Sequence, residues 1–284
     1  MKTVFQPFDP RQEMRRPDFE IFHNKDMHLD SVGLHHHDFY EVYFFLGGKA
    51  EYRVEGRLYR LRPGDVLLLS PMELHQVTVQ AGRVPYERIV LWISRSYLAS
   101  LGSGEDSLSR CFDNALSEHT NLLKRSDGVQ VQPLFEQLLE ERSQNLYAGE
   151  ACARGYLLQL LVQLNRLALN GRQQAGENSP LVSRAVAHIN SHYAEEITLD
   201  DLAAQLHVSK YYLCHEFSRV AGTSVYRFIT LKRLQIAREL LLQGAAPSEA
   251  AAQCGFKDYP NFYRAFKTRY RLSPSDCVLR GGEF

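Results

Sequence analysis

The sequence predicts an α+β chain of two domains: a jelly-roll β-barrel followed by two helices, and then an all-helical domain. Short runs rich in Val, Tyr and Phe recur about every ten residues in the first third of the chain, which is typical of a β-sandwich or barrel. After Ser94 the apolar residues change to helical spacing. Residues 171–180 are polar and contain two glycines and a proline. We therefore predict a linker there, between domains at 1–170 and 181–284.

Six strands make up the predicted barrel, and turn signals separate them. The pair Glu55-Gly56 predicts a tight hairpin that needs a positive φ angle, which glycine adopts readily. The strands are predicted at Glu41–Leu46, Ala50–Val54, Arg57–Leu61, Val66–Leu69, His75–Val79 and Arg88–Ile93.

Two helices are predicted after the barrel, at 129–143 and 149–170. In the second helix an apolar stripe recurs at intervals of three and four residues, and it consists of Tyr156, Leu160, Leu164 and Leu167. A stripe this wide needs a packing partner. Two partners are open from the sequence: the sheet of the same domain, and a second chain in a homodimer.

The composition excludes several classes of protein. The 284 residues are 44% hydrophobic and 23% charged, which is ordinary for a globular chain and unlike a disordered one. No apolar run approaches the roughly 18–20 residues that span a bilayer, and the first residues lack a secretory apolar core. The five cysteines never show C-x-x-C spacing, which argues against a disulfide framework or a zinc finger. We therefore expect a cytoplasmic protein with no membrane partner.

The C-terminal third begins with a helix at 181–193 and a first helical unit. Thr198 and Ser209 are placed to cap a short helix at 199–206 and a longer one at 210–220. A short helix, a tight turn and a second helix are the spacing of a helix-turn-helix unit.

The same pattern recurs after a long helix predicted at 225–243. A short helix at 249–254 is followed by a turn at Gly255-Phe256 and by a helix that Asp258 caps and that ends at Tyr270. The sequence therefore predicts two helix-turn-helix units joined by a long helix.

Residues 197–278 resemble the DNA-binding domain of the AraC/XylS family of transcription regulators. The resemblance lies in LDDLAAQLHVSKYYLCHEFSRVAGTS, in LKRLQIARELLL and above all in CGFKDYPNFYRAFKTRYRLSPSD. The chain departs from the family at His207 and Arg271, where glycine is common, and at Cys277-Val278, which replace an aromatic-basic pair.

The resemblance implies that the second helix of each unit enters the major groove of double-stranded DNA. The implied base-facing residues are Tyr211, Cys214 and His215 in the first unit, and Asn261, Tyr263 and Arg264 in the second. The implied phosphate contacts are Arg219, Arg227, Lys232 and Lys267, and the same DNA-binding face includes Lys210 and Tyr259. A packed ring for each tyrosine and a solvated charge for each basic residue are the alternatives.

A second resemblance, to the cupin core, covers about residues 20–95 and rests on His35-x-His37, Glu41, a later Pro63-Gly64-Asp65 and His75. Side chains two residues apart share one face of an extended chain, so His36 is expected to point to solvent. His35, His37, Glu41 and His75 form a set suited to Mn, Fe, Ni, Cu or Zn. Direct ligand contact and purely structural roles are the other two interpretations, and we expect no cofactor.

A barrel of this size can enclose one small ligand. Residues whose side chains are candidates for contact with that ligand are His35, His37, Glu41, Tyr43, His75, Arg88 and Trp92. Tyr52 is a further inward candidate.

Together these features predict a ligand-responsive transcription regulator that is not an enzyme. We expect it to act as a homodimer, to bind a small-molecule effector of the sugar or related metabolite class, and to contact RNA polymerase if it is an activator. The alternatives are a metal-dependent cupin enzyme fused to a DNA-binding domain and a regulator that needs no ligand.

The overall charge conceals this function. Basic and acidic residues number 33 each, whereas nucleic-acid-binding proteins usually have a basic excess. That excess is local, because residues 205–271 contain 11 basic and 4 acidic side chains. Counted by domain, the balance is −3 over residues 1–170 and +3 over residues 171–284, and these two values cancel.

Overall fold

The computed structural model describes residue 5 and residues 13–29, 31–80, 82–112, 121–144, 146–170 and 179–281. The chain divides into two compact units, with the main boundary between residues 177 and 178. The predicted linker at 171–180 lies outside the described residues except for its last two positions. Within the described part of the chain, no helix is both long enough and apolar enough to cross a membrane.

The N-terminal unit is built from two antiparallel sheets. Its strands are β1 (Phe19–Asp26), β2 (Ser31–His35), β3 (Tyr40–Gly47), β4 (Ala50–Val54), β5 (Arg57–Arg60), β6 (Val66–Leu69), β7 (His75–Val79), β8 (Tyr86–Ile93) and β9 (Leu122–Leu123). The first sheet has the order β1-β8-β3-β6-β9, and the second has the order β2-β7-β4-β5. All six predicted strands are confirmed, and Gly56 has the expected positive φ, +74°.

Strands β1, β2 and β9 were not predicted from the sequence. β1 carries the polar run His23-Asn24-Lys25, and β9 has only two residues, so neither shows an apolar strand pattern. β1 exists because it pairs along its whole length with β8, from Phe19 opposite Ile93 to Asp26 opposite Tyr86.

The first sheet is buried on both faces. Along β3, Val42 and Phe44 belong to a core shared with helices, whereas Tyr43 and Phe45 belong to a core between the sheets. This double burial explains why β3 is a continuous apolar run rather than an alternating one.

The helices of this unit are α1 (Arg95–Ser100), α2 (Arg125–Ser143) and α3 (Gly149–Asn170). Leu157, Leu160 and Leu164 of α3 are fully buried in the core that includes Val42 and Phe44. The predicted stripe therefore packs within its own domain, which was the first of the two partners left open.

In the C-terminal unit, all regular elements in residues 179–281 are helices. Its helices are α4 (Pro180–His192), α5 (Leu199–Gln205), α6 (Lys210–Ala221), α7 (Val225–Leu242), α8 (Pro247–Gln253), α9 (Tyr259–Tyr270) and α10 (Pro274–Gly281). The predicted caps are confirmed, because the side chains of Thr198, Ser209 and Asp258 accept backbone N–H groups of Asp201, Tyr212 and Asn261.

Helix α10 was not predicted, although its signal is present in the sequence. Ser273 Oγ accepts the N–H of Asp276 at 3.1 Å, and Asp276 Oδ2 accepts the N–H of Ser273 at 3.1 Å. This reciprocal pair is a capping box with Asp in place of Glu. It positions the buried Cys277 in a core with Phe262 and Phe266.

Two residues that replace a common glycine hold a left-handed backbone. His207 has φ +57° and Arg271 has φ +60°, a region that costs a non-glycine residue roughly 1 kcal/mol.

We expect Arg271→Gly to raise the free energy of unfolding of this unit by about 0.5–1 kcal/mol, measured by urea denaturation. Arg271→Ala is the matched control, because it removes the side chain and keeps the strain. An equal gain in both variants would contradict this explanation.

Candidate ligand cavity and DNA-binding face

The N-terminal unit contains a partly open cavity of about 60 Å³. One water molecule needs about 10–15 Å³ of cavity volume. The space therefore admits several waters or one small ligand. The lining residues come from both sheets and from the segment after β1, and they are Phe22, Asn24, Leu29, Val32, His35, Glu41, Tyr43, Tyr52, Val77, Tyr86, Arg88, Val90 and Trp92.

Most of the predicted ligand contacts line this cavity. They are His35, Glu41, Tyr43, Arg88 and Trp92, together with the further candidate Tyr52. His37 and His75 are not part of the lining, but the His75 ring lies 4.2 Å from that of His35 and 4.9 Å from that of His37. The other lining residues of β1 and β2, which are Phe22, Asn24 and Val32, were not predicted, because those two strands were not predicted.

Glu41 is the buried acid of the cavity. Its Oε2 accepts the indole N–H of Trp92 at 2.9 Å, and its Oε1 accepts the hydroxyl of Tyr52 at 3.4 Å. Burial by itself raises the pKa of Glu41, but contacts with His37, His35 and Trp92 outweigh burial, so the net pKa is lowered. The carboxylate is therefore ionised and acts only as a hydrogen-bond acceptor.

Arg88 is the buried cation of the cavity, and Asp26 already compensates its charge. Its side chain is 3% exposed and forms an ion pair with Asp26. Its guanidinium also stacks 4.3 Å from the centroid of the Tyr86 ring. A bound anion would have to compete with Asp26 for this group.

Three tyrosines supply neutral hydroxyl groups. Tyr43 and Tyr86 are hydrogen-bonded to each other. Burial raises the pKa of Tyr86 to about 12, and it raises the pKa values of Tyr43 and Tyr52 well above the usual range. All three therefore remain protonated at neutral pH.

The histidines beside the cavity share one hydrogen-bonding arrangement. Nδ1 of His35, His37 and His75 lies 2.7, 2.9 and 2.8 Å from the carbonyl oxygens of Gly33, Phe39 and Glu73. A carbonyl oxygen cannot donate a proton, so each Nδ1 carries the hydrogen and donates it. Burial, followed by the neighbouring histidines, holds the pKa of His75 well below its usual range, so this ring is neutral.

The predicted four-residue set is brought together only in part. His37, Glu41 and His75 offer ligand atoms that all lie within 4.8 Å of one another, and His35 is outside this group. The prediction that His36 points to solvent is wrong, because His36 is 4% exposed. Residues 36 and 37 follow the end of β2, so the strand alternation on which the prediction rested does not extend to them.

The second helix of the first unit, α6, exposes a mainly uncharged face. Tyr211 is 82% exposed, His215 is exposed, and Cys214 is partly buried. The cations of this helix are paired with carboxylates: Lys210 Nζ lies 2.8 Å from Asp200, and Arg219 lies 2.7 Å from Glu216.

The second helix of the second unit, α9, exposes cations against neutral neighbours. Arg264 donates to the side-chain oxygen of Asn261, whose amide in turn donates to Asp258. Lys267 Nζ lies 5.8 Å from the centroid of the Tyr263 ring. Asn261, Arg264 and Lys267 are exposed and Tyr259 is 38% exposed, whereas Tyr263 is partly buried.

The remaining predicted phosphate contacts lie on the long helix α7. Arg227 is exposed near its start, and Lys232 is partly buried near its middle. The family-signature residue Gly255 shapes the second turn, because it has φ +76° and a Cβ there would lie 2.5 Å from the carbonyl oxygen of Ala194.

Comparisons with known proteins agree with both units. The model of an AraC-like ligand-binding domain matches residues 17–186, and that of a helix-turn-helix domain matches residues 202–279. An uncharacterised HTH-type regulator, YbfI of Bacillus subtilis, is 29% identical over 230 residues, covering 79% of this chain and 78% of the relative. The transcriptional activator RhaS of Escherichia coli is 26% identical over 251 residues, covering 85% and 86%.

Among solved structures, unsaturated fatty acid-bound ToxT from Vibrio cholerae is similar, with 15% identity and a TM-score of 0.41 over 94% of this chain and 97% of that one. A ligand-binding β-domain joined to a helix-turn-helix domain defines a DNA-binding transcription regulator. The chain belongs to the AraC family of these regulators, whose members bind DNA and a small-molecule effector.

Proposed function

We propose that this protein is a sequence-specific regulator controlled by an uncharged, hydroxyl-rich effector such as a sugar. The cavity between the sheets carries this proposal. Its ionised Glu41 accepts hydrogen bonds and repels anions, while the cation Arg88 is already paired with Asp26. An aromatic wall at Trp92 beside fixed polar groups suits a neutral polyol better than a carboxylate or a phosphate.

A thermal-shift screen of the full chain against sugars and carboxylated metabolites tests the effector class. We expect a neutral sugar to raise the melting temperature by mass action. Trp92→Phe should weaken that shift, because it removes the N–H that holds Glu41. A shift produced only by anionic compounds would contradict the proposed class, and no shift from any compound would favour the ligand-independent alternative.

In our proposal, residues 1–170 sense the effector and residues 181–284 bind DNA with α6 and α9. Arg264, with Asn261 beside it, is the base-reading residue of α9, and Tyr211, Cys214 and His215 are its counterparts on α6. Lys210, Arg219, Arg227, Lys232, Tyr259 and Lys267 support the helices on the phosphate backbone. Because the relatives are transcription regulators, we propose no catalytic role.

The phosphate role of Lys267 makes a prediction about salt. Replacing Lys267 with alanine should weaken binding to all DNA sequences about equally, and it should reduce the slope of log K against log salt by about 1, because one fewer counterion is released. Fluorescence anisotropy at several salt concentrations measures this slope. The exposed Thr268 provides a control, Thr268→Ala, that should leave the slope unchanged. An unaltered slope for Lys267→Ala would remove this residue from the phosphate set.

We also propose a homodimer that uses the outer face of α3. Leu158, Val162 and Leu169 lie within about 40° of one another around the helix, and Leu158 and Leu169 are 38% and 46% exposed. Leu158→Glu should convert the dimer to a monomer in sedimentation velocity with little loss of stability, whereas Gln159→Glu, at an exposed neighbouring position, should not. A monomeric wild type, or a dimeric Leu158→Glu variant, would rule out this interface.

Two further features belong to the same proposal. Because RhaS is named as a transcriptional activator, we propose that this protein activates transcription through contact with RNA polymerase. The scattered cysteines, all of them free, are in keeping with action in the cytoplasm.

A further inference from the structure

His37, Glu41 and His75 form a buried cluster beside the cavity. This cluster has more hydrogen-bond acceptors than its N–H groups can satisfy. Because Nδ1 of His37 donates to the carbonyl of Phe39, the Nε2 of a neutral His37 presents a lone pair. This lone pair faces Glu41 Oε2, another acceptor, at 3.2 Å. Two acceptors at this distance repel each other unless a proton or a metal cation lies between them.

His75 also has an acceptor without a donor. It distinguishes between a proton and a metal ion as the cation that this cluster needs. Its Nδ1 donates to the carbonyl of Glu73, and its Nε2 is buried with no hydrogen-bond partner among the described residues. A second proton on His37 would satisfy the His37–Glu41 pair but would leave His75 Nε2 without a donor. A single cation bound by all three groups satisfies every lone pair at once.

The chemistry of the set points to a particular kind of cation. Two imidazole nitrogens and one carboxylate, all within 4.8 Å, are the ligands of Zn²⁺, Fe²⁺, Mn²⁺ and similar ions rather than of Ca²⁺ or Mg²⁺, which prefer oxygen. The backbone carbonyls that hold each Nδ1–H provide the outer-shell support typical of metal-bound histidines.

We propose that His37 Nε2, the carboxylate of Glu41 and His75 Nε2 form a binding site for one divalent transition-metal ion. Because Glu41 also lines the cavity, the ion would lie at the cavity wall, where an oxygen of an effector could complete its coordination. Metal was one of three interpretations that the sequence left open. The proposal goes beyond the regulator function and does not depend on it. A bound ion would offset the negative charge with which Glu41 repels anions, so the effector screen is run on both metal-free and metal-loaded protein.

Direct metal analysis of the full-length protein tests the site. After treatment with a chelator and dialysis against Zn²⁺ or Co²⁺, we expect about one ion per chain by mass spectrometry and a visible Co²⁺ spectrum. We also expect a melting temperature raised by about 5 °C at saturating Zn²⁺. Ca²⁺ should give neither effect. Wild-type protein that retains no ion and shows no shift would overturn the proposal.

Three variants locate the ion. His75→Gln and Glu41→Gln keep most of the side-chain volume and should abolish stoichiometric binding, whereas His36→Asn changes a buried neighbour outside the set and should retain it. Stoichiometric binding by both glutamine variants would show that the ion lies elsewhere and would overturn the assignment. If a glutamine variant does not fold, the wild-type Co²⁺ spectrum still decides, because one without nitrogen ligands contradicts the site. DNA binding by the metal-free protein leaves the regulator proposal intact whatever these results are.

Discussion

Replacement of Arg264 by alanine is expected to lower affinity for a selected DNA sequence about 5- to 150-fold and to relax preference at one base position. A bidentate contact between a guanidinium and guanine contributes about 1–3 kcal/mol of discrimination. In the structure one nitrogen of Arg264 donates to Asn261, which Asp258 holds in turn. This chain orients the guanidinium and leaves its other N–H groups for a base.

The experiment compares wild type, Arg264→Ala and Arg264→Lys by selection from random DNA followed by anisotropy. Arg264→Lys keeps the charge and should lose most of the preference, because an ammonium cannot form the planar fork. Lys267→Ala serves as the control that weakens binding without changing the preferred sequence. Identical preferred sequences for wild type and Arg264→Ala would refute the base-reading role.

The largest effect on stability is expected for Phe262→Ala. Phe262 is fully buried on α9, and its ring lies 5.1 Å from that of Phe256 and 5.4 Å from that of Phe266. Removing such a ring leaves a cavity and costs about 3–5 kcal/mol, a large share of the stability of a small domain. We expect the melting temperature of the DNA-binding unit to fall by about 15 °C or more.

The effect of Phe262→Ala on DNA binding should differ between the two helix-turn-helix units. Because Phe262 belongs to the core that supports α8 and α9, footprints should lose protection at the half-site of the second unit before that of the first. Phe262→Leu keeps most of the apolar volume and should lose less than half as much stability. An unchanged melting curve for Phe262→Ala would show that this core does not support α9.

The predictable parts of this protein are those with local signals. The caps at Thr198, Ser209 and Asp258 are short-range side-chain to backbone contacts, so residue type and spacing were sufficient to find them. The central strands of the barrel were visible for a similar reason, because strands buried on both faces are continuous apolar runs between turn residues. Strand β1 was missed because its support comes from β8, whose paired residues lie 60 to 74 positions away in the sequence.

The candidate site shows the same division. His35, Glu41 and Trp92 could be chosen from the sequence as inward residues, and they do line the cavity. The exclusion of His35 from the three-residue cluster, and the burial of His36, depend on where β2 ends and β3 begins. No periodic pattern of residues marks the point where the backbone changes direction between two strands, so the positions of these two histidines could not be predicted from the sequence.

The sequence by itself determined the family, the two helix-turn-helix units and the residue types available to a sensing barrel, because motif spacing, caps and apolar periodicity are local properties of the chain. Only the tertiary structure decided that the stripe on α3 packs against its own sheet. It also decided that Asp26 compensates Arg88 and that His37, Glu41 and His75 converge with their Nδ1 protons already committed. Each of these features brings together residues that are distant in sequence. The free energy of burying and pairing their side chains depends on neighbours that the chain acquires only when the two sheets pack together.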